Sequence, residues 1–362
     1  MNNPLNTNDI LGWLRETDPV RLGELWRQAD ETRRQHVGDA VFLRGLVEIS
    51  NFCCRQCAYC GLRAGNDRLP RYRMVADEIF GAAQQAVEFG YGTVVLQAGE
   101  DYGLPAIWLE DIIRWIKNET PLAVTLSLGE RPDRELAVWR EAGADRYLLR
   151  FETSDRHLFD EIHPPLANRR CDRLAIIRRL QGLGYETGSG IMVGIPGQTY
   201  ASVANDLELF QKLDLDMIGI GPFIPHPATP LGSGFKIFPP VNGEQVPNTE
   251  LMVYKVLALA RLMRPDANIP ATTALATINK KNGRELGLQR GANVFMPNLT
   301  PLKYRRLYEI YPAKACIAET DVKCSDCLAA RIQAIGRQIG RGQGGRYTRR
   351  SEPSPERNLC HA

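Results

Sequence analysis

Through most of this 362-residue chain, short apolar runs alternate with stretches of helical length. Strand candidates are 44–50, 93–98, 122–128, 145–151, 186–193, 216–220, 268–273 and 292–296. Helical candidates fall near 75–90, 105–118, 133–142, 170–183, 200–213, 248–264 and 283–290. Several of the strands are apolar throughout instead of alternating, as parallel strands buried on both faces are. Eight strands interleaved with helices over about 250 residues point to a closed (β/α)8 TIM-type barrel. A doubly wound open sheet is the competing arrangement. Ahead of the barrel, residues 8–35 read as helical, with Leu11, Leu14, Leu22, Leu25 and Trp26 at near-helical spacing. The expected organisation is therefore a helical extension over 1–40, the barrel over 41–312, and a C-terminal segment over 313–362. Residues 221–247 are rich in Pro and Gly and read as one long loop.

Composition narrows the partners. The net charge is +3 with 24% charged residues, so nothing draws the chain strongly to nucleic acid or a membrane. No apolar run approaches the roughly 18 residues of a membrane helix, and the N-terminus lacks the pattern of a secretory signal. A cytoplasmic, reducing setting is expected. Nine cysteines there favour metal or cluster ligation over disulfides. The arginines among the glycines of 331–350 read as a solvated, frayed tail.

Directly after the first strand stands Cys53-Cys54-Arg55-Gln56-Cys57-Ala58-Tyr59-Cys60-Gly61. Cys53, Cys57 and Cys60 can converge on one cluster if the loop wraps round it. A closed zinc site wants four ligands, and so do ferredoxin clusters. Three thiolates on one iron–sulfur cubane leave an iron open for a ligand, at the barrel face where barrel enzymes place their chemistry. A zinc knuckle with a distant fourth ligand is the plainer alternative. Cys54 reads as a small packed side chain, because adjacent residues rarely both reach one metal.

This spacing, with an aromatic residue before the last cysteine, resembles the signature of the radical SAM superfamily. The resemblance implies a 4Fe–4S cluster whose open iron chelates S-adenosylmethionine, and one-electron cleavage of the sulfonium bond to a 5′-deoxyadenosyl radical. It also implies roles along the strand ends. Gln97-Ala98-Gly99-Glu100 resembles the Gly-Gly-Glu-type motif that receives the methionyl amino group. Arg150 and Glu152 match positions for the methionyl carboxylate and the ribose, and Arg173 and Tyr308 join Gln97 in contacting the nucleoside and methionyl parts. The glycines from Gly188 to Gly197 permit close backbone approach to a ligand.

Longer strings, among them Glu48-Ile49-Ser50-Asn51, Thr125–Glu130, Gly143–Arg150, Ile218–Pro227, Ile269–Ala274 and Gly291–Val294, resemble the biotin-synthase-like branch and, within it, the HydE-type FeFe-hydrogenase maturases. That resemblance implies an internal cavity in which Arg44, Thr125, Arg146, Thr272 and Thr273 bind anionic groups of a cysteine-bound iron carbonyl cyanide precursor. It further implies a one-electron donor and transient contact with other hydrogenase maturases. Cys316, Cys324 and Cys327 resemble an auxiliary site for a 2Fe–2S cluster, a second 4Fe–4S cluster or zinc. Two readings compete: a methylornithine-synthase-like radical mutase, and a non-catalytic iron–sulfur scaffold or precursor carrier. Cys171 and Cys360 receive no role.

Overall fold

A computed structural model describes residues 5–167, 172–234, 244–315 and 321–346, with backbone alone over 321–327. Two helices come first, α1 (Thr7–Arg15) and α2 (Pro19–Val37), where one was expected. The break is local: Asp18 caps Val20 and Arg21, and Pro19 restricts the residue before it. There follow β1 (Ala40–Ser50), α3 (Ala76–Glu88), β2 (Thr93–Ala98), α4 (Ala106–Glu119), β3 (Ala123–Ser127), α5 (Asp133–Glu141) and β4 (Arg146–Leu148). Then come α6 (Arg156–Ile162), α7 (Arg173–Gly182), β5 (Glu186–Val193), α8 (Tyr200–Lys212) and β6 (Met217–Pro222). The chain continues with α9 (Glu250–Met263), α10 (Thr273–Ile278), α11 (Gly283–Leu288), β7 (Val294–Phe295), α12 (Leu302–Arg305), α13 (Asp321–Ala334) and β8 (Gln338–Ile339).

The sheet is parallel in the order β6-β5-β4-β3-β2-β1-β7, and β8 also pairs with β1. Each crossover carries at least one helix, so both faces are covered and the strands are buried almost throughout. The expected strand at 268–273 does not form. Only single parallel bridges join Asn268 to Met217 and Pro270 to Val294. Pro270 has no N–H for a ladder, and Thr272 already serves as the N-cap of α10. The fourth strand is likewise shorter than expected, stopping at Leu148 before Arg150 and Glu152.

The N-terminal helices belong to the same core. Ile10, Leu14, Leu25 and Ala29 are fully buried against it, and the Lys255 ammonium of α9 donates to the Leu14 carbonyl at 3.0 Å.

The C-terminal basic stretch departs from expectation. Instead of fraying, residues 337–346 pack under the sheet. Arg346 is buried and pairs with Asp266 at 2.6 Å, Asp214 at 3.0 Å and Asp216 at 3.2 Å. Arg337 pairs with Asp30 and Asp39, and Arg331 meets Glu285 at 2.5 Å. Three carboxylates that crowd one end of the core need a cation, and the tail carries it in.

One buried carboxyl has no such partner. Asp206 on α8 is fully buried, accepts from the Ser154 N–H and has no partner for its second oxygen among the described residues. Burial, then repulsion from Asp155, pushes it up to about 7. Its pKa is raised on folding, so its stabilising effect is complete below its ordinary value of 3.8 and is lost as pH climbs through 7. Asp206→Asn is therefore expected to raise the thermal midpoint more at pH 8 than at pH 5. Equal midpoint shifts at the two pH values would refute this.

Candidate active site

The cysteine loop leaves β1 at Ser50 and returns at Arg73, and its backbone is tied down at several points. Cys54 N–H donates to Glu100 O at 3.0 Å, Ala58 N–H to Ile162 O at 2.8 Å and Gly61 N–H to Ile310 O at 3.0 Å. The Arg71 guanidinium donates to four loop carbonyls, those of Asn51, Leu62, Arg63 and Asn66, at 2.6 to 3.1 Å. Gly99 lets β2 touch the loop, because a Cβ there would lie 2.2 Å from Phe52 O and 2.8 Å from Cys53 Cβ.

Cys53, Cys57 and Cys60 all face one cavity of about 330 Å³, and Cys54 does not. Burial and mutual repulsion push Cys57 well above the ordinary thiol range and Cys60 up to about 12. Three thiols gathered away from water stay neutral until a cation takes their protons' place.

Behind the loop lies a buried charged network. Arg55 meets Glu100 and Glu130, each at 2.7 Å. Arg173 reaches Glu130 at 3.0 Å, Arg150 O at 2.6 Å and His163 Nε2 at 2.9 Å. His163 Nδ1 stands 3.0 Å from Cys57 Sγ. Burial, then Arg173, holds the imidazole down at about 4.

The structure brings all the strand-end candidates to the cavity wall: Gln97, Gly99, Glu100, Arg150, Glu152, Arg173 and Tyr308. Their side chains are not equally available. The Glu100 carboxylate is taken by Arg55, Tyr102 and the Glu130 N–H, and its carbonyl by Cys54. By contrast, Arg150 Nε and Glu152 Oε2 are buried with no hydrogen-bond partner among the described residues. The two side chains form an ion pair at 3.1 Å. Glu152 has φ +63°, a left-handed conformation uncommon for a residue with a side chain. Gln97 Nε2 donates to Tyr308 OH at 3.3 Å.

Of the five residues assigned to a substrate cavity, Thr272 and Thr273 line this one. Arg44, Thr125 and Arg146 do not. They lie two residues before Leu46, Ser127 and Leu148, which do, on the same inward faces of their strands. Arg44 donates to Gly344 O at 3.0 Å. Arg146 pairs with Glu186 at 2.6 Å and donates to Gln343 O at 3.1 Å. Both guanidiniums thus hold the C-terminal tail, and Thr125 Oγ1 is buried without a partner among the described residues.

On the opposite wall, Gly219 and Gly221 present backbone where a barrel usually packs side chains. A Cβ on Gly219 would find only Ser189 O, at 3.8 Å. Glu48 and Lys314 form a buried ion pair on the cavity wall. Sequence reasoning overlooked Arg55, Glu130, His163, Glu48 and Lys314. Cys324 and Cys327 fall on α13 with side chains outside the described residues, and Cys316, Cys171 and Cys360 lie outside them altogether.

Residues 47–210 match the family model of the Radical SAM superfamily. The FeFe hydrogenase maturase subunit HydE of Thermotoga maritima is 48% identical over 323 residues, covering 89% of this chain and 88% of that one. The chain belongs to the HydE family. A 3-methylornithine synthase of Methanosarcina acetivorans is more distant, 29% identical over 293 residues, with 80% and 78% of the two chains covered. The crystal structure of methylornithine synthase PylB shares the fold, with a TM-score of 0.77 at 24% identity, covering 94% of this chain and 95% of that one.

A radical SAM enzyme of the HydE family carries a 4Fe–4S cluster and S-adenosylmethionine, and the donor set here fits both. Three thiols, Cys57 buried and Cys53 and Cys60 half-buried, face one void, yet no trio of His, Cys, Asp or Glu among the described residues is drawn in tightly enough for a single ion. Ligands at three corners of a cubane stand further apart than ligands on one zinc. The Arg150 guanidinium and the Glu152 carboxylate, paired with each other on the cavity wall, are the groups that suit a carboxylate and ribose hydroxyls. No helix among the described residues is long and apolar enough to cross a membrane.

Proposed function

We propose that this HydE-family chain is a cytoplasmic radical enzyme of FeFe-hydrogenase assembly, acting on a cysteine-bound iron carbonyl cyanide precursor. The observation that carries the reading is the single cavity with the cysteine trio at one end and Gly219, Gly221, Thr272 and Thr273 along its inner walls. When bound, the 4Fe–4S cluster supplies the electron that splits the sulfonium bond of S-adenosylmethionine. Arg150 holds the methionyl carboxylate, Glu152 accepts from the ribose, and Gln97 and Tyr308 orient the nucleoside. The Thr272 and Thr273 hydroxyls face the anionic precursor, which fits beside the glycine wall. The barrel of this reading is complete, with residues 268–270 as the eighth stave, because they bridge both Met217 and Val294. Cys316, Cys324 and Cys327 hold an auxiliary cluster outside the radical step. A one-electron donor and the other hydrogenase maturases are the partners.

Reconstituted protein, reduced and given S-adenosylmethionine, should form 5′-deoxyadenosine and consume the iron precursor, followed by its CO and CN stretching bands. 5′-Deoxyadenosine with the precursor untouched would favour a mutase; precursor binding without 5′-deoxyadenosine would favour a carrier. Gly219→Leu is expected to cut precursor consumption about tenfold or more by filling the cavity. Uncoupled 5′-deoxyadenosine formation should persist in that variant. Full precursor turnover in it would place the substrate elsewhere.

A further inference from the structure

His163 stands at the end of α6, and its imidazole is 1% exposed. Nδ1 lies 3.0 Å from Cys57 Sγ, and Nε2 lies 2.9 Å from Arg173 Nη2. The same Nη2 is 3.4 Å from Nδ1, so the guanidinium lies over the ring face and does not choose between the two nitrogens. A sulfur bound to iron has no proton to give, so a hydrogen bond across the 3.0 Å contact needs the proton on the ring. That proton sits on Nδ1 and points at the sulfur. Glu130 Oε1 lies 3.5 Å from Nε2, on the far side of the ring from the sulfur contact, and is shared with Arg173 Nε at 3.0 Å. The ring is also wedged against Phe159, with centroids 5.0 Å apart.

We propose that His163 donates a hydrogen bond to the Cys57 sulfur and thereby raises the reduction potential of the cluster, with Arg173 packed over its ring. A donor at a cluster sulfur stabilises the extra negative charge of the reduced form. His163 is thus a positioning residue that acts through Cys57. It rests on the cysteine trio holding an iron–sulfur cluster and is independent of which substrate is used.

The test compares the anaerobically reconstituted full chain with His163→Phe and His163→Asn, the midpoint potential being read by EPR-monitored titration. At a fixed potential, His163→Phe should lower the ratio of reduced to oxidised cluster about tenfold, about 59 mV for a one-electron couple. His163→Asn, whose amide offers a donor near the Nδ1 position, should recover to within about threefold of the parent. Iron content should be equal in all three. Equal potentials, or equal displacement in both variants, would reduce the ring to packing. Should a variant fail to load iron, ¹⁵N-histidine NMR of the oxidised, iron-loaded parent protein decides. The resonances assigned to His163 should show the proton on Nδ1, and a proton on Nε2 overturns the proposal. Failure to load even the parent would instead count against the cluster reading itself.

Discussion

Cys57→Ala is expected to abolish 5′-deoxyadenosine formation and to strip the first site of most of its iron. The loop offers three sulfurs to the cavity, and Cys57 is the one most shut away from water. With two ligands left, no further cysteine among the described residues stands ready. Cys54 does not face the cavity, and its thiol, pushed up to about 12 by burial and Glu100, lies 3.8 Å from the Glu100 carboxylate. Iron per chain should fall from about four at this site to a small fraction of that. Cys54→Ala is the matched control and should keep both iron and product. Cys324→Ala should keep most of the product, because the proposed reading puts that cysteine in an accessory set. Comparable product loss from Cys57→Ala and Cys324→Ala would show that the two sets are not separate in function.

The cysteine trio could be read from the sequence because its logic is local: three thiols within eight residues share one loop whatever surrounds it. The strands were readable for a related reason, since burial on both faces leaves an unbroken apolar run, as in TVVLQA of β2. Features built by long-range contact were not readable. His163 is a lone histidine after a short helix, and nothing near it in sequence announces a sulfur 106 residues away. Glu48 and Lys314 are 266 residues apart and meet only because the segment after α12 folds back over β1. Arg346 resembles any tail arginine until Asp214, Asp216 and Asp266 are seen to converge beneath it. Arg44 and Arg146 make contacts that the sequence did not announce either. The resemblance sent them to the substrate, and the structure has both gripping backbone carbonyls of the tail.

The charged network behind the loop sets up the second large effect. Glu130 pairs with Arg55 through one oxygen and with Arg173 through the other, while its own N–H donates to Glu100. All of these side chains are buried or nearly so. Glu130→Ala would leave two guanidiniums short of a counter-charge in a region water does not reach. Removing one partner of a buried pair typically costs about 3–5 kcal/mol, because the remaining charge is uncompensated. The expected result is a loss of that order in denaturant-induced unfolding, accompanied by poor iron loading. The two losses should appear together because Arg55 lies inside the cysteine loop and Arg173 supports His163 at Cys57. Glu130→Gln keeps the shape and one acceptor oxygen, so its loss should be smaller and its loading better. Stability in Glu130→Ala equal to the parent's would mean that water or Glu100 alone satisfies Arg55, and the network would then not be what holds the loop to the strand ends.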